Sequence, residues 1–312
     1  MASGKSIRVY LPDGSVTGIR YAELVNWTGQ AIACPRNRLS ELKDSWPEAS
    51  KPGVYFLFEN RFGDAKPLAY IGESENVSER LITHDKQKDF WNDVVIFTSK
   101  DQNLTKSHIK YLEAFFAVLA KKSDRYDLVN GNTPPESSLP RSDRDAMDEY
   151  AGNARMVLGV LGHAILEPLL KKAVSTEPVL QGLLDTVVTD FAEDFVFSVN
   201  KLKALGQITD EGFVLKKGSQ ISKIATDSIP GRVNKIRINL IQNGSVSDLG
   251  TMLVTTEDIL LSSSSYAAAL VAGTSRSGPQ SWRDGTGKTL KQREDELTKI
   301  AEDVLPGNFV ET

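Results

Sequence analysis

The chain has 312 residues, too many for one ordinary core, so two or three domains are expected. With 40% hydrophobic and 25% charged residues it is globular rather than disordered, and a formal net charge of −4 excludes a protein that coats nucleic acid by bulk charge alone. A single cysteine, Cys34, forbids an intramolecular disulfide, and three scattered histidines (His84, His108, His163) argue against a structural zinc site, leaving oxygen ligands for any metal.

The N-terminus MASGKSIRVY lacks the apolar run of a signal peptide, so a cytoplasmic protein is expected. Residues 6–20 read as a hairpin around the turn PDG, followed by a helical or turn segment holding NWTG and CPRNRLSEL. GVYFLFEN (53–60) and LAYIGE (68–73) read as a second hairpin, with Ser74 as N-cap of a helix over 75–84. DVVIFTS (93–99) is a further strand, and SHIKYLEAFFAVLAKK (107–122) is a strong helix with apolar residues at Ile109, Leu112, Phe116 and Leu119. NGNTPPESSLP (130–140) has a linker composition and marks a domain boundary. Residues 141–203 read as mostly helical. The stretch MVLGVLGHAILEPLL (156–170) contains His163, Glu167 and Pro168 and is too short to span a bilayer, so no membrane partner is expected. TDEGFVLKKGS (209–219) is a new hairpin, a basic helix-like stretch runs to about 242, a short helix lies near 264–272, and a charged helix ends the chain.

The chemistry concentrates in YIGESENVSERLITH (70–84). Arg80 and His84 are four apart and share a helix face, Val77 and Leu81 form the neighbouring apolar stripe, and Tyr70 stands at the strand end, where Gly72 permits a tight turn. One docked helix can then aim both side chains at the tyrosine. Taken singly, they read more readily as a surface arginine, a solvated histidine and a packed tyrosine. Glu113 shares the apolar face of Ile109 and Phe116, where a carboxylate is expensive unless it is paired with a lysine such as Lys110 or binds a metal.

Gly53-Val54-Tyr55, Tyr70-Ile71-Gly72 about fifteen residues on, Arg80, His84, Glu113 and Asn130 follow the order and spacing of the GIY-YIG nucleases. Residues 51–133 resemble that family, with Val54 where the motif has isoleucine. The resemblance implies phosphodiester hydrolysis in DNA with one Mg²⁺ (or Mn²⁺) on Glu113, Arg80 on the scissile phosphate, and Tyr55 or Tyr70 receiving the proton of the attacking water. Tyr55 is the favoured base, and His84 would orient a tyrosine or contact the phosphate. Asn130 would brace the site; Asn132 competes for that role, and Asn130 is equally well read as a turn former. His108 reads as an ordinary first-turn residue.

IRVYLPDG and NWTG…CPRNRL resemble the N-terminal extension found before the nuclease motif in one bacterial branch of the family. The C-terminal region resembles a domain of unknown function that accompanies that branch, through Gly212-Phe213, Leu215, Lys217-Gly218-Ser219, Ser263 to Ala269, Gly273, Trp282 and Gly287-Lys288-Thr289-Leu290. Charge gives this region a nucleic-acid reading. Lys216, Lys217, Arg232, Lys235 and Arg237 form one basic segment; Arg276, Arg283 and Lys288 form another, and Trp282 either stacks on a base or sits in the core. GTGKTL (285–290) echoes a Walker A motif, but Gly285 and Gly287 are only two apart and no strand precedes them, so an NTPase is rejected.

The expected architecture is α+β: an extension over 1–50, a nuclease module over 51–133 with a mixed or antiparallel sheet, a helical connector over 134–205 and an α+β accessory domain over 206–312. Three functional classes remain: a DNA endonuclease, with RNA as the alternative substrate; a catalytically silent nucleic-acid-binding module; and an adaptor. Because one isolated site cuts one strand, duplex cleavage calls for a homodimer or two binding events.

Overall fold

The computed structural model describes residues 4–59, 66–130, 138–170 and 194–304. The chain forms two compact units, Met1–Pro168 and Leu169–Thr312. Both are mixtures of helix and largely antiparallel sheet, which is the expected α+β class. Among the described residues no helix is long and apolar enough to cross a membrane.

In chain order the first unit contains β1 (Ile7–Tyr10), β2 (Arg20–Leu24), β3 (Gly29–Pro35), α1 (Leu39–Ser45), β4 (Gly53–Phe58), β5 (Leu68–Ser74), α2 (Val77–Gln87), β6 (Asp93–Ser99), α3 (Lys106–Ser123), β7 (Asp127–Leu128) and α4 (Arg141–Val160). The strands make one sheet in the order β1-β2-β3-β6-β4-β5-β7, antiparallel except for the short parallel pair β5–β7. β4 is buried at every position, because the sheet is covered on both faces and such strands read as continuous apolar runs. On one face Val54, Phe56, Ile71 and Phe97 pack with Ile109, Leu112 and Phe116 of α3 and with α4. On the other, Tyr55, Leu57 and Ile96 pack with Leu42 of α1 and with Val77 and Leu81 of α2.

Three expectations change here. The segment read as helix or turn after residue 20 contains β2 and β3; β3 is buried on both faces and so shows no alternation to read. The helix after β5 is capped by Asn76, whose side chain accepts from the Glu79 N–H at 3.3 Å, whereas Ser74 ends the strand. The domain boundary lies after Pro168 rather than near 133. α4 is no connector: Met147, Tyr150, Ala154 and Val157 face the sheet, and the Tyr150 hydroxyl donates to Thr98 O of β6 at 2.9 Å.

The second unit contains β8 (Phe195–Val199), β9 (Leu202–Thr209), β10 (Gly212–Leu215), β11 (Gln220–Ser222), α5 (Gly231–Gln242), β12 (Val246–Asp248), β13 (Met252–Thr255), β14 (Ile259–Leu261), α6 (Ser264–Ala272), α7 (Gly278–Ser281) and α8 (Leu290–Val304). Residues 195–203 are therefore two strands joined by a turn rather than helix, and a boundary at 206 would cut through β9. Two antiparallel sheets, β14-β10-β9-β8 and β11-β13-β12, flank α6. Six consecutive residues of α6, Ala267–Ala272, are buried, as expected for a helix apolar all round. Trp282 is fully buried against Phe213 (ring centroids 4.6 Å apart) and Phe197 (5.4 Å), and its Nε1–H donates to Ser264 O at 2.9 Å.

Trp282 thus anchors the second core. Trp282→Ala is expected to destabilise this unit by about 3–5 kcal/mol, measured as an earlier urea transition of the full chain.

Candidate active site

The site starts from strand register. β4 runs antiparallel to β5 with Tyr55 opposite Gly72. A Cβ on Gly72 would fall 2.4 Å from the Tyr55 hydroxyl oxygen and 2.8 Å from the Tyr70 ring. Gly72 is therefore glycine so that the Tyr55 phenol can lie across β5, not because the chain turns there. Gly53 is constrained similarly: its Cβ would meet Phe97 O, a backbone atom of β6, at 2.3 Å.

α2 supplies the next groups. Val77, Leu81 and His84 form its buried face, and His84 is only 2% exposed. The Tyr55 hydroxyl and His84 Nε2 are 2.8 Å apart. The polar ends of Arg80 and Tyr70 also interact with the Tyr55 phenol. Arginine can only donate, so with Arg80 on the phenol oxygen the Tyr55 O–H is directed to Nε2. The proton of neutral His84 then resides on Nδ1, which is buried and has no hydrogen-bond partner. Burial, reinforced by the charges of Arg80 and Lys88, lowers the His84 pKa to about 4, so the imidazole is a neutral acceptor at neutral pH. Burial likewise raises the phenol of Tyr55, which is fully enclosed, and that of Tyr70, which is half-buried with Lys88 Nζ 4.4 Å from its ring centre.

Glu113 projects half-buried from α3. Burial and then the neighbouring Glu73 push its pKa up to about 7, against the opposing influence of Arg80 and Lys110. The lysine pairing left open by the sequence does not form: among the described residues no cation lies within ion-pair distance of Glu113. Glu73, the last residue of YIGE, was missed by motif reasoning. The signal was period-two alternation, which sends Glu73 to the face of Ile71 rather than that of Tyr70 and Gly72. Among the described residues no group of three or more His, Cys, Asp or Glu side chains is arranged to hold a metal.

Asn130 is a brace rather than a turn former. Its Oδ1 accepts from Ile71 N–H at 3.1 Å and its Nδ2 donates to Ile71 O at 2.7 Å, so one amide continues the pairing begun by β7. Asn132 lies outside the described residues. His108 is a capping residue of α3, paired reciprocally with Thr105.

The basic residues of the second unit divide. Lys217, Arg232, Lys235, Arg276, Arg283 and Lys288 are exposed, although Lys288 is paired with Glu296 at 2.8 Å, and the half-buried Lys216 is paired with Asp194. Two candidates are corrected. Trp282 is enclosed in the core and offers no face to a base. Arg237 is 6% exposed, because it lies four residues after buried Val233 on the inner side of α5, and it donates to Lys223 O at 2.7 Å. Arg232 and Lys235 occupy the outer side of that helix. The GTGKTL segment opens on a loop closed by Asp284, which accepts from the backbone of Thr286 (2.9 Å) and Lys288 (3.0 Å).

Residues 195–294 match a family described as a domain of unknown function, DUF4357. This agrees with the expectation for the C-terminal region; the match covers none of the residues assembled around Tyr55. No curated protein and no solved structure matches the chain.

Two outcomes follow from this geometry. Gly72→Ala forces the Tyr55 phenol out of place and is expected to cost about 1–3 kcal/mol in chemical denaturation. For His84, both folded and unfolded states are neutral above about pH 6.5. Between about 6.5 and 4 the unfolded chain gains the proton and the folded one does not, so stability falls as pH drops, by up to about 3 kcal/mol, and levels off below that. The stability difference between wild type and His84→Gln should accordingly narrow across this window in urea titrations.

Proposed function

We propose that the first unit is a metal-dependent endonuclease of the GIY-YIG type that hydrolyses phosphodiester bonds in DNA. The observation that carries this reading is the convergence of Tyr55, Tyr70, Arg80 and His84 on one point, with the unpaired, half-buried Glu113 alongside. A hydrophobic core has no use for such a set. A phosphate ester needs all of it.

Arg80 is exposed and also anchored on the phenols, so it can meet a phosphate oxygen and stabilise the charge that grows in the transition state. Tyr70 is the phenol that water can reach, since Tyr55 is fully enclosed. Tyr70 takes the proton of the attacking water, and its own proton passes through Tyr55 to His84 Nε2. An ionised phenol is unfavourable here, as the raised pKa values indicate, and handing the proton on avoids one. The negative phosphate beside Arg80 offsets the positive charge arriving on His84.

Glu113 fits a divalent cation: it is a half-buried hard oxygen donor that Arg80 and Lys110 offset only in part, and Mg²⁺ accepts one or two carboxylates while keeping most of its waters. When bound there, the cation would supply charge neutralisation for the phosphate and the departing oxygen. The DUF4357 unit, with Arg232 and Lys235 outward on α5, is the candidate for target selection.

The test is nicking of supercoiled plasmid and cleavage of single-stranded DNA and RNA with Mg²⁺ or Mn²⁺. Wild type should cut DNA, and Glu113→Ala and Arg80→Ala should each lose at least about 10²-fold in rate. Cleavage of RNA alone would change the substrate; intact DNA binding without metal-dependent cleavage of any substrate would make the unit a binding module.

A further inference from the structure

β5 separates the site into two sides. Tyr70 and Gly72 face α2, whereas Ile71 and Glu73 leave the strand toward α3. Glu73 stands opposite Val54 in the register, and Val54 belongs to the α3 core. Oε2 of Glu73 is buried and has no hydrogen-bond partner. Lys106, at the start of α3, feels the charge of Glu73 but directs its ammonium to Glu75 at 2.9 Å. The other neighbour of Glu73 is a second carboxylate, Glu113.

A buried carboxylate oxygen without a donor is costly, and placing it beside another carboxylate adds repulsion. Packing does not require this arrangement, because a glutamine of the same shape would remove the charge. One positive ion between the strand and the helix would satisfy both groups.

We propose that Glu73 is a second protein ligand of the divalent cation that Glu113 holds. The inference rests on the nuclease reading of Glu113 and specifies it further. The cation site becomes a pair of carboxylates, one from the end of β5 and one from the middle of α3, with the remaining positions left to water and phosphate oxygens, as Mg²⁺ prefers. It also ties the metal to the strand that carries Tyr70, so cation and proton acceptor are set by the same piece of backbone.

Mn²⁺ binding to the full-length protein, without nucleic acid, tests this. Free Mn²⁺ is counted by electron paramagnetic resonance and the waters on the bound ion by proton relaxation. Glu73→Gln should weaken affinity at least about tenfold and leave one more water on the ion that still binds. Glu75→Gln removes the same charge two residues away, from an exposed side chain paired with Lys106, and should leave affinity within about twofold. Circular dichroism establishes that each variant is folded. If Glu113→Gln abolishes binding while Glu73→Gln matches wild type, or if Glu73→Gln and Glu75→Gln weaken binding equally with an unchanged water count, Glu73 is no ligand and the nuclease reading stands. If wild type binds no Mn²⁺, the nuclease reading and this inference fall together.

Discussion

The site depends on one close approach, the Tyr55 phenol against the bare Cα of Gly72. Because nothing projects from Gly72, the phenol crosses the strand instead of standing beside it, and its oxygen emerges where α2 can reach it. Everything else is arranged around that oxygen. Leu81 and Val77 seat α2 so that His84 points at it, and one turn earlier Arg80 reaches the same place from the solvent side. Gly53, jammed against the backbone of β6, keeps β4 from shifting relative to its neighbour. The two glycines thus act as fixed spacers of a rigid sheet, and the side chains gathered at the Tyr55 phenol inherit that rigidity.

The same place departs from the rule that buried polar groups find partners. His84 holds a buried Nδ1 without a partner, Glu73 a buried oxygen without a donor, and Glu113 a raised pKa with no ion pair. Elsewhere Tyr150 bonds Thr98 and Trp282 bonds Ser264, although Trp91 Nε1 and Arg237 Nη1 are also buried without a partner. What distinguishes this strand end is that its unmatched groups lie close together, around the Tyr55 phenol and Glu113.

The elements nearest the site were the most legible in the sequence. β4, β5, β6 and α3 follow from apolar runs and a 3.6-residue period, and Tyr55, Tyr70, Arg80, His84 and Glu113 from spacing. What escaped did so for physical reasons. β3 is a Gly- and Ala-containing run buried on both faces, so neither propensity nor alternation marks it. α4 follows a linker-like composition, and only tertiary packing makes it part of the first core. Arg237 and Trp282 were grouped by charge and aromaticity, although α5 places Arg237 in line with Val233 and Trp282 fills the space between two phenylalanines. Glu73 was hidden by the motif beside it, which draws attention to Tyr70 and Gly72 and away from the opposite face.

The amide of Asn130 has an effect beyond bracing. A sheet edge is normally a hazard, since a row of free backbone groups invites another strand to pair. Here the outer edge of β5 is occupied by two residues of β7 and then by a side chain that imitates a strand. An amide on Ile71 satisfies that peptide but has no backbone to continue the ladder. That part of the outer edge of β5 is therefore closed to strand exchange at the cost of one residue, while Arg80 on α2 remains exposed.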